Sequence, residues 1–241
     1  MPAAARMIDL ALHSLKQFRP YFVLAALVLV LTGVGAMIWP ALFRRFIGQL
    51  NPVLVLILTA ILGLLGLWAL SAGGWFPVYA PAKGHAVAAL YLLVPLYAGV
   101  TIAIDIVARF ARDINIAFPG SLFFYPSAGF VAEIVFHILP LAALLLALPL
   151  VFKTAGRETL LWSSIAVAAL VEPVFQTILV SSSSPLPLWA TILSAINILA
   201  IDLTLLVIFR SAGFIHMYGF RLAYYALWHI VWGHLRLATL F

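Results

Sequence analysis

The chain contains no cysteine, which excludes structural disulfides, thiol nucleophiles and thiolate metal sites. Charge is almost as scarce: 8% of the 241 residues are charged, while 66% are apolar. Soluble domains average about 25% charged and about 45–50% apolar residues. The 13 Lys and Arg and 7 Asp and Glu cannot coat a water-soluble globule of this size. A soluble enzyme and a disordered chain are therefore both excluded.

Long apolar runs separate the few charges. A helix needs about 20 apolar residues to cross the hydrocarbon core of a bilayer. The pattern predicts an all-α, polytopic transmembrane helix bundle with about seven spans, and eight as the alternative. The predicted spans are about 21–43, 52–73, 85–108, 127–152, 159–180, 188–209 and 212–235. Turn signals precede the fourth span, at Phe118-Pro119-Gly120 and Tyr125-Pro126, and the sixth, at residues 181–185.

The N-terminal residues 1–20 are too short and too charged for a span, and residues 7–18 predict an amphipathic helix on the membrane surface. Residues 21–241 predict a single transmembrane domain. We expect a multi-pass protein of a bacterial-type plasma (inner) membrane. The net charge is +6, and the basic residues that produce it lie between the apolar runs. They therefore face lipid headgroups. The expected partners are the bilayer and a membrane-embedded peptide or protein, and not nucleic acid.

Ionisable residues within the spans are concentrated in the second half of the chain. A charge at bilayer depth costs at least about 2.5–3.5 kcal/mol on insertion scales, so such residues usually face a bundle interior or a wet cavity. Three predicted helix faces carry polar residues at intervals of four: Glu133 with His137, Glu172 with Gln176, and Arg221 with Tyr225 and His229. If these faces converge, they form one buried polar site.

The segment 129–137 resembles the first motif of the CPBP family of intramembrane proteases, the type II CAAX-protease superfamily. That motif reads Glu-Glu-x-x-x-Arg. In this chain Ala132 stands at the position of the first Glu, Glu133 at the second and His137 at the Arg.

A second resemblance lies near the C-terminus, where the family's last motif has a Gly-Phe turn before a His, with Asn or Asp four residues further on. The turn corresponds to residues 209–214. Arg221 stands at the position of the His and Tyr225 at that of the Asn or Asp, while His229 falls one turn beyond.

The family's middle motif, Phe-x-x-x-His, corresponds best to residues 168–176, where Glu172 or Gln176 stands at the position of the His. The resemblance then covers about residues 120–235. It implies a CPBP-like helical fold for that part of the chain.

The function that the resemblance implies is that of a glutamate-dependent intramembrane endopeptidase acting on a membrane-associated or prenylated peptide. In this interpretation Glu133 activates water, His137 and His229 orient the water or carry protons, and Arg221 stabilises the oxyanion. Glu172 takes the place of a catalytic His. No cofactor or metal is expected.

The departures from the motifs favour an alternative, a catalytically inactive protein of CPBP fold that binds a lipid, a peptide or a partner membrane protein. One Glu of the first motif and both His are replaced. Arg221 needs a buried anion, and Glu133, Glu172 and Asp202 in the sixth span are equal candidates. Pairing with Arg221 would make Glu133 a poor base at neutral pH.

A third, weaker alternative is a metal-dependent membrane enzyme. Its possible ligands are Glu133, His137, Glu172 and His229. Such a set of two carboxylates and two imidazoles suits Zn²⁺ or Fe²⁺ if the four side chains converge.

Overall fold

The computed structural model describes residues 3–80, 85–180 and 186–241, and within these ranges the chain is helical and has no β-sheet. The α-helices are α1 (Ala3–Ile38), α2 (Arg44–Ile47), α3 (Pro52–Ala72), α4 (His85–Tyr91), α5 (Leu93–Ala108), α6 (Ser121–Ala132), α7 (Leu139–Val151), α8 (Arg157–Ala168), α9 (Val171–Phe175), α10 (Leu188–Ala212), α11 (Phe214–Tyr225) and α12 (Gly233–Thr239). Three π-helical segments lie between them: π1 (Glu133–Ile138), π2 (Gln176–Val180) and π3 (Ala226–Trp232). The turn predicted at 181–185 lies outside the described residues.

Among the residues that the structure describes, six helical stretches are long and apolar enough to cross a membrane. They are Lys16–Ile38, Pro52–Ala72, Val87–Ala108, Ser121–Val151, Arg157–Ile178 and Leu188–Ala212. They match the first six predicted spans, so the protein is a multi-pass helical membrane protein. The seventh predicted span coincides with the helical run from α11 to α12, which is not one of these six. A total of seven or eight spans stays a prediction.

The N-terminal part of the chain is more continuous than the sequence predicts. Residues 7–18, predicted as a separate surface helix, run without a break into the first span within α1. That helix ends at Ile38 and not near residue 43. Pro40 explains the earlier end, because proline lacks an amide donor and disfavours helical geometry in the residue before it.

One predicted turn is wrong. Tyr125-Pro126 lies inside α6, which starts at Ser121. The first four amide groups of a helix have no hydrogen-bond partner within the helix. Pro126 lies two residues beyond them in α6, so it removes one hydrogen bond of the helix. The polar fourth span therefore begins earlier than predicted, and α6 adds a buried face to the bundle.

Packing arranges the helices around α10. This helix contacts α5, α9 and α11, while α1 packs against α3 and α6. Gly213 makes the tight turn between α10 and α11 with a φ of 89°. Its turn is bound to the segment before α4, because Phe214 N donates to Val78 O at 3.0 Å and Ala80 N donates to Ala212 O at 3.1 Å. This places α11 directly beside α10.

The outer faces of the helices are apolar. On α3, for example, Leu58, Leu62 and Leu65 are exposed, whereas Gly63 and Leu67 are buried against the bundle. Such a surface is expected where lipid replaces water. The polar side chains of the later helices accordingly point inward.

Candidate functional site

Four of the five predicted site residues meet in the interior of the bundle. They form, with Asp202, the group that we call the polar cluster: Glu133, His137, Glu172, Asp202 and Arg221. The three carboxylates, one imidazole and one guanidinium come from π1, α9, α10 and α11. None of the five side chains is more than 4% exposed.

Glu133 is fully engaged on both of its oxygens. Oε1 accepts a hydrogen bond from Nε of Arg221, and Oε2 lies 2.9 Å from Nδ1 of His137. The second contact is the pair at i and i+4 that the sequence spacing indicates. The side chain is wholly buried, and both of its oxygens are bound by other members of the cluster.

Arg221 binds the second carboxylate through a fork of two hydrogen bonds. Nη1 donates to Oε1 of Glu172 at 3.1 Å, and Nη2 donates to Oε2 at 2.8 Å. Gln176, one turn after Glu172, donates to Oε1 at 2.9 Å. Bidentate pairs of this kind fix both the position and the orientation of the carboxylate.

Asp202 is held more loosely than the two glutamates. Its Oδ1 lies 3.5 Å from Nη2 of Arg221 and 3.4 Å from Nε2 of His137. Its Oδ2 has no hydrogen-bond partner among the described residues. The prediction that Asp202 is as ready a partner for Arg221 as either glutamate is therefore wrong: Asp202 comes third.

Backbone irregularity is concentrated at these side chains. Glu133 and His137 both lie on π1, and Gln176 begins π2 directly after α9. π-Helical segments inside α-helices are rare and often occur at functional sites. Here they carry Glu133 and His137, which bind each other, and Gln176, which binds Glu172.

A cavity of about 410 Å³ borders one side of the polar cluster. Its wall includes the apolar side chains Phe110, Phe124, Phe136, Phe175, Ile198 and Trp228. Its polar lining includes Glu172, Gln176, Ser194, Asp202, Arg221 and His229. Glu133 and His137 do not border it. The cavity thus combines an apolar wall with an acidic end formed by part of the cluster.

His229 is the predicted site residue that lies outside the cluster. Its Nδ1 is 2.7 Å from Oδ1 of Asn115, and its ring stacks on Tyr125 at 4.4 Å between centroids. Its connection to Arg221 runs through Tyr225, whose ring it contacts edge-on at 4.8 Å. His229 therefore lines the cavity without touching the carboxylates.

The predicted set of four metal ligands is not brought together, because His229 lies apart. The described residues offer a different set: one ligand atom each of His137, Glu172 and Asp202, all within 4.8 Å of one another. Arg221 already binds Glu172 and contacts Asp202. A guanidinium at this position opposes a divalent metal ion, so the donor set fits such an ion poorly.

A second buried ion pair was missed in the sequence. Arg236, which is wholly buried, donates from Nε and Nη2 to the two oxygens of Asp105 at 2.7 and 2.8 Å. It also donates to the carbonyl oxygens of Phe110, Ala111 and Arg112. The pair fastens the turn after α5 to α12. The presence of Asp105 within the third span could have indicated this pair, because a buried carboxylate requires a partner.

Comparison with other proteins adds no assignment. No protein-family profile matches the sequence, and no characterised protein or solved structure is significantly similar to it.

Proposed function

We propose that the protein binds an amphipathic, lipid-like molecule in the cavity beside the polar cluster and does not hydrolyse it. The observation that carries this proposal is the shape of the site: a largely apolar cavity that ends at buried carboxylates. An amphipathic ligand would place its chain against the aromatic wall and its head group at the acidic end.

The size and lining of the cavity support this proposal. Small-molecule sites typically measure about 300–1,000 Å³ and are mostly apolar with a few converging polar groups. The cavity of about 410 Å³ falls in this range. Phe136, Phe175 and Trp228 supply apolar contact area, while Glu172 and Asp202 supply polar contacts.

The state of Glu133 argues for binding rather than hydrolysis. A general base must reach the proton that it removes directly or through one water. Both oxygens of Glu133 are engaged by Arg221 and His137, and the side chain does not border the cavity. Arg221 is likewise occupied by carboxylates, so it is not free to stabilise an oxyanion.

The resemblance to the CPBP family remains part of the proposal, as that of an inactive relative. The segments at the first, middle and last motif positions contribute Glu133, Glu172 and Arg221, and these three side chains are in contact. This convergence supports a common helix arrangement. The replaced motif residues and the ion pairs of Arg221 with Glu133 and Glu172 support the loss of hydrolytic activity.

The test is a binding measurement on the full chain in phosphatidylcholine nanodiscs. A brominated or spin-labelled amphiphile in the cavity should quench the fluorescence of Trp228, which lines it. The variant Ala195→Phe places a large side chain in the cavity wall and should abolish the saturable part of the quenching.

The matched control is Ala103→Phe, because Ala103 is exposed on α5 and does not line the cavity. This variant should quench like the wild type. Saturable quenching that survives Ala195→Phe, or the absence of any saturable component in the wild type, would overturn the proposal.

A further inference from the structure

We infer that the ligand of this cavity carries a positively charged amine, which binds the free carboxylate oxygen of Asp202. The inference rests on the proposed function, and it names the chemical class of the head group. It follows from an unpaired acceptor, a charge imbalance and the position of Asp202 in the cavity wall.

The unpaired acceptor is Oδ2 of Asp202. The Asp202 side chain is wholly buried, and this oxygen has no hydrogen-bond partner within the described ranges. A buried acceptor without a partner is destabilising, and more so if it is charged. Because Asp202 borders the cavity, a donor on a bound ligand can supply the missing hydrogen bond.

The charge balance favours a cation over a neutral donor. The polar cluster has three carboxylates, on Glu133, Glu172 and Asp202, but one guanidinium and one imidazole. With all three carboxylates ionised, the cluster holds one more negative than positive charge even when His137 is protonated. An uncompensated charge in a low-dielectric interior is strongly unfavourable. A ligand ammonium beside Asp202 would balance the cluster.

Arg221 explains why the third carboxylate is the one left for a ligand. Its strongest hydrogen bonds go to Glu133 and Glu172, and its contact with Asp202 is the long one at 3.5 Å. Asp202 therefore keeps one oxygen for a second cation. Ile198, one turn earlier on α10, also lines the cavity and offers an apolar surface for the carbon next to the amine.

The experiment compares three probes with the same chain: dodecylamine, dodecanol and dodecanoic acid. Each is added at equal mole fraction to the full protein in phosphatidylcholine nanodiscs, and binding is read by displacement of the quenching amphiphile. We expect dodecylamine to bind at least about tenfold more tightly than dodecanol, a difference of about 1.4 kcal/mol. Dodecanoic acid should bind most weakly. Equal binding of the amine and the alcohol by the wild type would overturn the inference, while leaving the proposed function standing.

The variant Asp202→Asn should lose the preference for the amine and still bind dodecanol. Its charge-matched control is Glu158→Gln, which removes an exposed carboxylate that is paired with Arg210 at the surface. This control should keep the preference. Retention of the preference in Asp202→Asn would place the amine elsewhere and contradict the inference.

Two further arms identify the source of the cation. Addition of phosphatidylethanolamine to the nanodiscs should displace dodecylamine if the amine belongs to this lipid headgroup. If it does not, the amine belongs to a different molecule. Titration with NaCl and KCl tests whether the site binds an inorganic cation instead. If either salt displaces dodecylamine at a concentration where choline chloride does not, the cation is inorganic and the inference is wrong.

Discussion

Arg221 binds the Glu172 carboxylate with both of its terminal nitrogens, at 3.1 Å from Nη1 to Oε1 and 2.8 Å from Nη2 to Oε2. Its third nitrogen, Nε, donates to Glu133. One side chain of α11 therefore joins π1 and α9 across the interior of the bundle. We therefore expect this guanidinium to contribute strongly to the stability of the site.

Substitution of Arg221 by Gln should lower the free energy of unfolding by about 3–5 kcal/mol, because it leaves buried carboxylates without a cation. The measurement is thermal unfolding in nanodiscs. The control is Arg210→Gln, which breaks an exposed pair with Glu158 that should be worth about 0–1 kcal/mol. Equal melting of Arg221→Gln and the wild type would contradict the assigned role of the guanidinium.

The carboxylates of the cluster should respond unequally to amide substitution. Asp202→Asn should leave the melting temperature of the unliganded protein equal or higher, because it relieves the excess negative charge and breaks no short contact. Glu172→Gln should lower it, because it removes the charge from a bidentate pair. Thermal unfolding of the two variants in parallel tests this order, and the reverse order would refute it.

The wild-type protein should not cleave a farnesylated peptide faster than the variant Glu133→Gln does. The reason is that Glu133 is buried and bound on both oxygens. Mass spectrometry of the peptide after incubation with each protein in nanodiscs measures the difference. Cleavage by the wild type that disappears in Glu133→Gln would support the hydrolytic alternative and refute a purely binding function.

The pair of Asp105 and Arg236 should be structural. Arg236→Gln should destabilise the protein by about 3–5 kcal/mol, because it leaves the buried Asp105 carboxylate without its cation, although Trp232 and the amide of Phe110 still donate to it. The exposed Arg112 is the control, and Arg112→Gln should change stability by no more than about 0.5 kcal/mol. A stability near that of the wild type would show that the ion pair is dispensable.

The substitution Gly213→Ala should lower the stability of the protein more than Gly48→Ala does. Both have a positive φ, of 89° and 62°. A Cβ at Gly213 would lie 2.6 Å from the carbonyl oxygen of Val78, whereas a Cβ at Gly48 meets nothing within 4 Å. The steric contact should add about 1–3 kcal/mol to the cost of Gly213→Ala. Chemical or thermal unfolding of the two variants measures the difference, and equal losses would exclude a steric contribution.

Composition and residue spacing were enough to predict the class of the fold and the local pairs of the site. Composition and run length predicted a helical membrane bundle, and six apolar helices are present among the described residues. The contacts of Glu133 with His137 and of Glu172 with Gln176 follow from a spacing of four residues. Such contacts are predictable because helix geometry places these positions on one face.

Which of these faces meet could not be predicted from spacing, because it depends on the packing of distant helices. Asp202 belongs to the polar cluster while His229 pairs with Asn115 instead. Asp105 and Arg236 are 131 residues apart in the chain and yet share two hydrogen bonds. Helical periodicity assigns a residue to a face but does not determine which helix lies opposite. Which helix lies opposite depends on how whole helices pack. The cavity and the free carboxylate oxygen of Asp202 depend on the same packing.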